Sequence, residues 1–148
     1  ILAAAALFGH AVTIIRLPIE IVEAVAAVGM TPTQFVLTVM ALILVLGMFL
    51  ETISIILITT PIVFPVMLEL GIDPIWYGIL LMINLEMALI TPPVGMNLFV
   101  IKGIAKAPLS EVISGSAPYA ALMLVGLILV FAYPPLATWL PDFAGFGR

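Results

Sequence analysis

The chain contains no cysteine. Neither a disulfide framework nor a thiolate metal site is open to it. Its one histidine, His10, cannot assemble a zinc site by itself. Charge is scarce: Asp, Glu, Lys and Arg make up 8% of 148 residues, against about 25% in soluble domains. Only four residues are basic and the net charge is −4. That excludes the basic face of a nucleic-acid-binding protein. No Ser-His or HExxH arrangement occurs, and intramembrane aspartate pairs are missing, so the chain is not expected to be an enzyme. What is abundant is apolar: 65% of residues are hydrophobic and the mean hydropathy is +1.41. Residues 112–141 carry no charge, and Glu51 alone separates the apolar runs 35–50 and 52–68. The composition is that of an all-α integral membrane protein.

The opening Ile1-Leu2-Ala3-Ala4-Ala5-Ala6 has no basic region ahead of its apolar residues, unlike a signal peptide. Residues 1–16 are expected to be the end of a transmembrane helix, cut mid-span, in a piece of a longer chain. Pro18, Glu20 and Glu23 suit a helix N-terminus. Residues 17–31 then read as an interfacial arm helix, closed by Gly29, with Thr31 capping the next helix.

Residues 32–71 read as a re-entrant hairpin. Apolar arms from Phe35 to Leu46 and from Ile55 to Leu68 flank the polar cluster Gly47-Met48-Phe49-Leu50-Glu51-Thr52-Ile53-Ser54. Each arm is about 14 residues, or about 21 Å, short of a hydrocarbon core of about 30 Å. The alternative is one span from about 35 to 58. Pro61 and Pro65 are expected to interrupt the second arm, with Thr59 and Thr60 re-satisfying freed carbonyls. Gly71 fits a helix C-cap, Asp73-Pro74 a helix start, and Trp76-Tyr77 an interfacial aromatic pair.

Residues 72–107 read as a broken transmembrane helix. Asn84 and Glu86 fall near mid-depth. The stretch Thr91-Pro92-Pro93-Val94-Gly95-Met96-Asn97 then breaks the helix. The prolines lack N–H groups, so the carbonyls of Ala88 and Leu89 lose their helical donors. Irregular backbone at membrane depth is tolerated where protein buries it or where it lines a wet cavity. Freed carbonyls, a threonine hydroxyl and an asparagine amide would converge there, as in the sites of many secondary transporters. Residues 108–148 are an amphipathic link through Ser116, a last span from about Tyr119 to Trp139 led by Pro118, and a tail. Lys102 and Lys106 form the only basic cluster. Their loop is expected to be cytoplasmic, with 69–76 on the outer side.

The segments G-M-F-L-E-T (47–52), T-P-I-V-F-P (60–65), L-G-I-D-P (70–74) and N-L-E-M…T-P-P-V-G-M-N-L-F-V (84–100) together resemble the large membrane subunit of TRAP transporters, the DctM-like family. The resemblance covers about residues 10–140. It implies a sodium-driven importer of organic acids in the bacterial inner membrane, multi-pass and in contact with lipid. It implies two protein partners, a small TRAP membrane subunit and a periplasmic substrate-binding protein. The fold implied is one inverted-repeat half of an elevator-type secondary transporter, in which 17–29 look like the family's arm helix. No cofactor is expected beyond the coupling ion.

On this reading Thr91, Pro92, Gly95, Met96 and Asn97 form one sodium site, with Na+ at Thr91, Gly95 and Asn97. Gly47, Glu51, Thr52 and Ser54 form the hairpin tip that closes on substrate. Glu51 and Glu86 could instead relay protons, or Glu86 could bond a neighbouring helix and do no more. A structural or assembly subunit with no ion site is the remaining alternative. Sialic acid, C4-dicarboxylates and other acids stay open as substrates.

Overall fold

The computed structural model describes residues 2–145, the side chains of Leu2, Ala5 and Ala6 excepted. Ile1 and 146–148, the outer ends of the expected first helix and tail, lie outside the described residues. The described chain forms α1 (Leu2–Ile14), α2 (Leu17–Val28), α3 (Pro32–Gly47), α4 (Thr52–Glu69), α5 (Pro74–Leu89), α6 (Met96–Ala105), α7 (Leu109–Ala132) and α8 (Pro135–Phe143). By length and composition α4 and α7 can each cross a membrane. The chain is an all-helical membrane protein.

Turn chemistry sets the joints. Arg16 (φ 58°) and Gly29 (φ 69°) bound α2, and α2 meets α3 at 120°. Thr31 caps α3 reciprocally with Gln34: Thr31 N–H donates to Gln34 Oε1 at 2.9 Å, and Gln34 N–H donates to Thr31 Oγ1 at 3.3 Å. This capping box satisfies two N-terminal donors at once. Helix α4 closes on Gly71 (φ 68°), with Gly71 N–H to Leu68 O at 3.1 Å and Ile72 N–H to Met67 O at 2.9 Å. That is a Schellman closure, which needs a left-handed residue at this point. Asp73 then caps α5 by accepting from Trp76 N–H at 2.8 Å.

Helices α3 and α4 form a hairpin. The start of α3 (Pro32, Thr33) and the turn that follows α4 (Gly71, Ile72, Asp73) line one hollow of about 270 Å³. The chain therefore leaves that side along α3 and returns to it along α4. Two details differ from the sequence-based expectation. Helix α4 starts at Thr52, because Glu51 caps it, and runs unbroken through Pro61 and Pro65 for 18 residues. That is about 27 Å, so short arms do not carry the case for a hairpin. Thr59 Oγ1 donates to Ile55 O at 2.8 Å, a carbonyl that neither proline frees, so Thr59 rescues nothing. Each proline removes one ladder bond and leaves the rest of α4 intact.

The core lies between α3, α4 and α5, where Val36, Ile43, Ile55, Val66, Leu80 and Leu85 are fully buried. Asn84 is the buried polar residue of this core, and its Nδ2 donates to Met40 O across α3 and α5 at 2.9 Å. Glu86 is exposed and makes no hydrogen bond among the described residues. The helix-bonding role open to Glu86 thus falls to Asn84.

Helix α7 runs from Leu109 through Pro118 to Ala132. The expected link and last span are one helix, and the break comes instead at Tyr133-Pro134-Pro135. Pro134 has no N–H for Val130 O, four residues back. Trp76 Nε1 donates to that carbonyl at 2.8 Å, and the Trp76 and Phe131 rings lie 5.6 Å apart. Trp76 is half-buried and Tyr77 buried. The pair expected at the membrane interface packs against protein here, with Trp76 on the end of α7.

Candidate ion site at the helix break

Helix α5 ends at Leu89. Its last carbonyls are handled one by one. Met87 O accepts Ile90 N–H at 3.2 Å and the Thr91 hydroxyl at 2.6 Å. Ala88 O accepts Thr91 N–H at 3.2 Å. The expectation that Ala88 O stays free is thereby corrected, since a tighter turn re-satisfies it. Leu89 O receives no hydrogen bond among the described residues. The Pro92–Pro93 peptide is cis.

Gly95 is buried and left-handed, with φ 49° and ψ 86°. A Cβ on it would stand 2.9 Å from Thr91 O, 3.0 Å from Leu98 Cδ1 and 3.1 Å from Leu89 O. Two carbonyl oxygens and a leucine methyl therefore close in on the glycine Cα, an approach that a side chain would block. The Gly95 carbonyl accepts Leu98 N–H at 2.8 Å and starts α6. The Thr91 hydroxyl gives its proton to Met87 O and keeps its lone pairs. Thr91 is half-buried, whereas Pro92, Met96 and Asn97 are exposed. Met96 and Asn97 are the first two residues of α6. Leu89 O, Thr91 O and Thr91 Oγ1 are uncharged hard oxygens of the type alkali and alkaline-earth cations take. Among the described residues no group of three or more His, Asp or Glu gathers to hold a metal ion.

The hairpin tip divides in two. Gly47 is buried, and a Cβ on it would lie 2.6 Å from Ala88 Cβ. The end of α3 thus rests on α5 three residues before Thr91. Glu51 turns inward on its own helix. Its Oε1 accepts from Ile53 N–H at 3.0 Å, and its Oε2 accepts from Ser54 N–H at 3.2 Å and from Ser54 Oγ at 3.3 Å. Thr52 is half-buried at the first turn of α4. Among the described residues no hydrogen bond joins 47–54 to 91–97. The apolar contact at Gly47 and Ala88 makes that junction. Leu89 was not among the site residues expected from the sequence, because only the left-handed turn at Gly95 brings its carbonyl beside Thr91 O. A hollow of about 280 Å³ between α2 and α4, lined by Pro18, Ile19, Val22, Pro65 and Glu69, lies away from the break.

Apolar helices of this length and number fit an integral membrane protein. The chain matches the family of the tripartite ATP-independent periplasmic transporter, DctM component, over residues 1–136, and it belongs to that family. It is 43% identical over 145 residues to the C4-dicarboxylate TRAP transporter large permease protein DctM of Pseudomonas aeruginosa, covering 98% of this chain and 34% of the relative. It is 37% identical to the isethionate TRAP transporter permease protein DctMQ of Oleidesulfovibrio alaskensis, covering 88% and 20%. It is 30% identical to the sialic acid TRAP transporter large permease protein SiaM of Vibrio cholerae, covering 95% and 33%. The chain spans about a third of the length of the large permease proteins it matches. These relatives are transport proteins, and the chain is not an enzyme.

Proposed function

We propose that this chain is the ion-binding repeat of the large permease of a sodium-coupled TRAP transporter. The whole transporter imports organic acids across the bacterial inner membrane by an elevator motion. It works with a small membrane subunit and a periplasmic substrate-binding protein. The observation that carries this reading is the pair of carbonyl oxygens, Leu89 O and Thr91 O, brought together beside Gly95 at the helix break. Carbonyls released by a helix break bind a monovalent cation without adding charge at membrane depth. Thr91 Oγ1 and the Asn97 amide complete the oxygen set. Sodium bound there would brace the junction where Gly47 meets Ala88, and so couple ion occupancy to the hairpin tip. The names of the relatives, which include C4-dicarboxylate, isethionate and sialic acid transporters, support an anionic organic substrate. The capping of α4 by Glu51 gives that carboxylate a structural role that needs no proton transfer.

The test is uptake by the full-length permease, reconstituted with its small subunit and binding protein. Wild type, Asn97→Ala and Thr91→Val are compared with and without a sodium gradient. Uptake that requires sodium and collapses in both variants, with folding intact, supports the site. Unchanged uptake in both variants reduces the break to a structural kink.

A further inference from the structure

Helix α8 carries an apolar stripe that faces away from the protein. Leu136, Trp139, Leu140 and Phe143 follow i, i+3, i+4, i+7 spacing and are 60%, 67%, 63% and 81% exposed. Ala137, 5% exposed, is the residue that seats the helix on the bundle. The rings of Trp139 and Phe143 lie 6.0 Å apart and nearly parallel, at 18°. They form one continuous slab on the outer face.

Position along the membrane normal decides what this slab meets. Glu111 is the last charge before the long apolar run. About 20 helical residues cross a hydrocarbon core of about 30 Å. Counted from Val112, they end near Phe131. The chain then breaks at Tyr133-Pro134-Pro135, so α8 starts where the core stops. The exposed stripe of α7 (Leu122, Val125, Leu129) runs on through Tyr133 into α8, continuous with the lipid-facing surface of a span. A helix outside the core, with an aromatic apolar face, belongs in the interface plane.

We infer that α8 is an interfacial anchor lying flat in the membrane on the side of the α4–α5 turn, with Leu136, Trp139, Leu140 and Phe143 inserted among the lipid acyl chains. The side is fixed because Pro134 lines the same hollow as Gly71, Ile72 and Asp73. The helix contains no Lys or Arg, so its attachment rests on apolar burial and not on anionic headgroups.

The test uses the full-length protein in a cysteine-free background, spin-labelled singly at Leu140→Cys, Phe143→Cys or Asp142→Cys. It is reconstituted in phosphatidylcholine vesicles with or without phosphatidylglycerol. Labels at 140 and 143 should collide with oxygen more than with a water-soluble nickel chelate, at a depth of about 5–10 Å. The label at 142 should show the reverse preference. None of these should change when phosphatidylglycerol is removed. The replaced side chains point away from the bundle, and the two stripe positions check each other. Preferential quenching by nickel at 140 and 143 would place α8 in water. Labels there shielded from both reagents would mean that protein, not lipid, covers the stripe. Either result overturns the anchor.

Discussion

Gly47 and Ala88 show how a single hydrogen atom sets the distance between two elements. With Cβ atoms on both residues the separation would be 2.6 Å, far inside contact distance. Gly47→Ala should overpack this junction and cost about 1–3 kcal/mol. The cost should be largely recovered in Gly47→Ala/Ala88→Gly, because the second change removes the opposing methyl. Thermal unfolding of the purified permease with its small subunit measures both. A double variant no more stable than the single one would show that the two residues are not coupled. Gly95→Ala makes a different demand. It puts a methyl 2.9 Å from Thr91 O at a left-handed φ of 49°. The strain is about 1–2 kcal/mol, and the methyl pushes on both carbonyl oxygens and on Leu98 Cδ1. The sodium concentration for half-maximal uptake should rise about tenfold or more, a change of about 1.4 kcal/mol in ion binding. An unchanged sodium dependence in a folded Gly95→Ala protein would remove these two carbonyls from the ion path. The break itself was legible from two adjacent prolines, which delete specific donors. The place of Leu89 O beside Thr91 O was not, because it depends on how the chain turns after the break.

At the level of elements, proline is easily misread. The adjacent pairs Pro92-Pro93 and Pro134-Pro135 coincide with breaks, whereas Pro61, Pro65, Pro118 and Pro141 lie within continuous helices. One missing N–H leaves the neighbouring turns bonded, whereas two in succession remove a full turn of restraint. Caps were more legible than spans. Thr31, Gly71 and Asp73 act as their residue types suggest, since capping is a local property. What pairs with what was not legible. The Trp76 bond to Val130 O joins residues 54 apart and compensates a carbonyl freed by Pro134. Trp76→Phe should leave that carbonyl without a donor and cost about 1–3 kcal/mol, read as a lower unfolding temperature with insertion preserved. Glu51 gives the complementary test of mechanism. Glu51→Gln keeps one acceptor oxygen for the α4 N-terminus and gives up the other together with the negative charge, so the unfolding temperature should fall only slightly. Sodium-driven uptake should survive the change. Its loss, without loss of fold, would make Glu51 a proton carrier and displace sodium as the coupling ion.

For the whole molecule, surface and topology make the argument. A compact soluble chain of 15.8 kDa exposes about 7,300 Å² by size scaling. This chain exposes 9201 Å², and much of the excess is Leu, Ile, Val and Phe on outward helix faces. Such a surface is stable only under lipid or further protein. The sidedness of that arrangement is testable through the hairpin. Both of its outer ends line one hollow with Trp76 and Pro134, so a re-entrant hairpin requires both on one side of the membrane. Helix α6, leading to Lys102 and Lys106, sits beyond the break, and by the positive-inside rule their loop is expected in the cytoplasm. In a cysteine-free full-length protein, Thr33→Cys and Glu69→Cys should both react with a membrane-impermeant maleimide applied from outside. Ala105→Cys should react only after permeabilisation. All three side chains are exposed, so reactivity reports sidedness and not burial. Labelling of positions 33 and 69 from opposite sides would make α4 a full crossing. That would dissolve the re-entrant hairpin and, with it, the reason for placing the hairpin tip beside the ion site at mid-membrane.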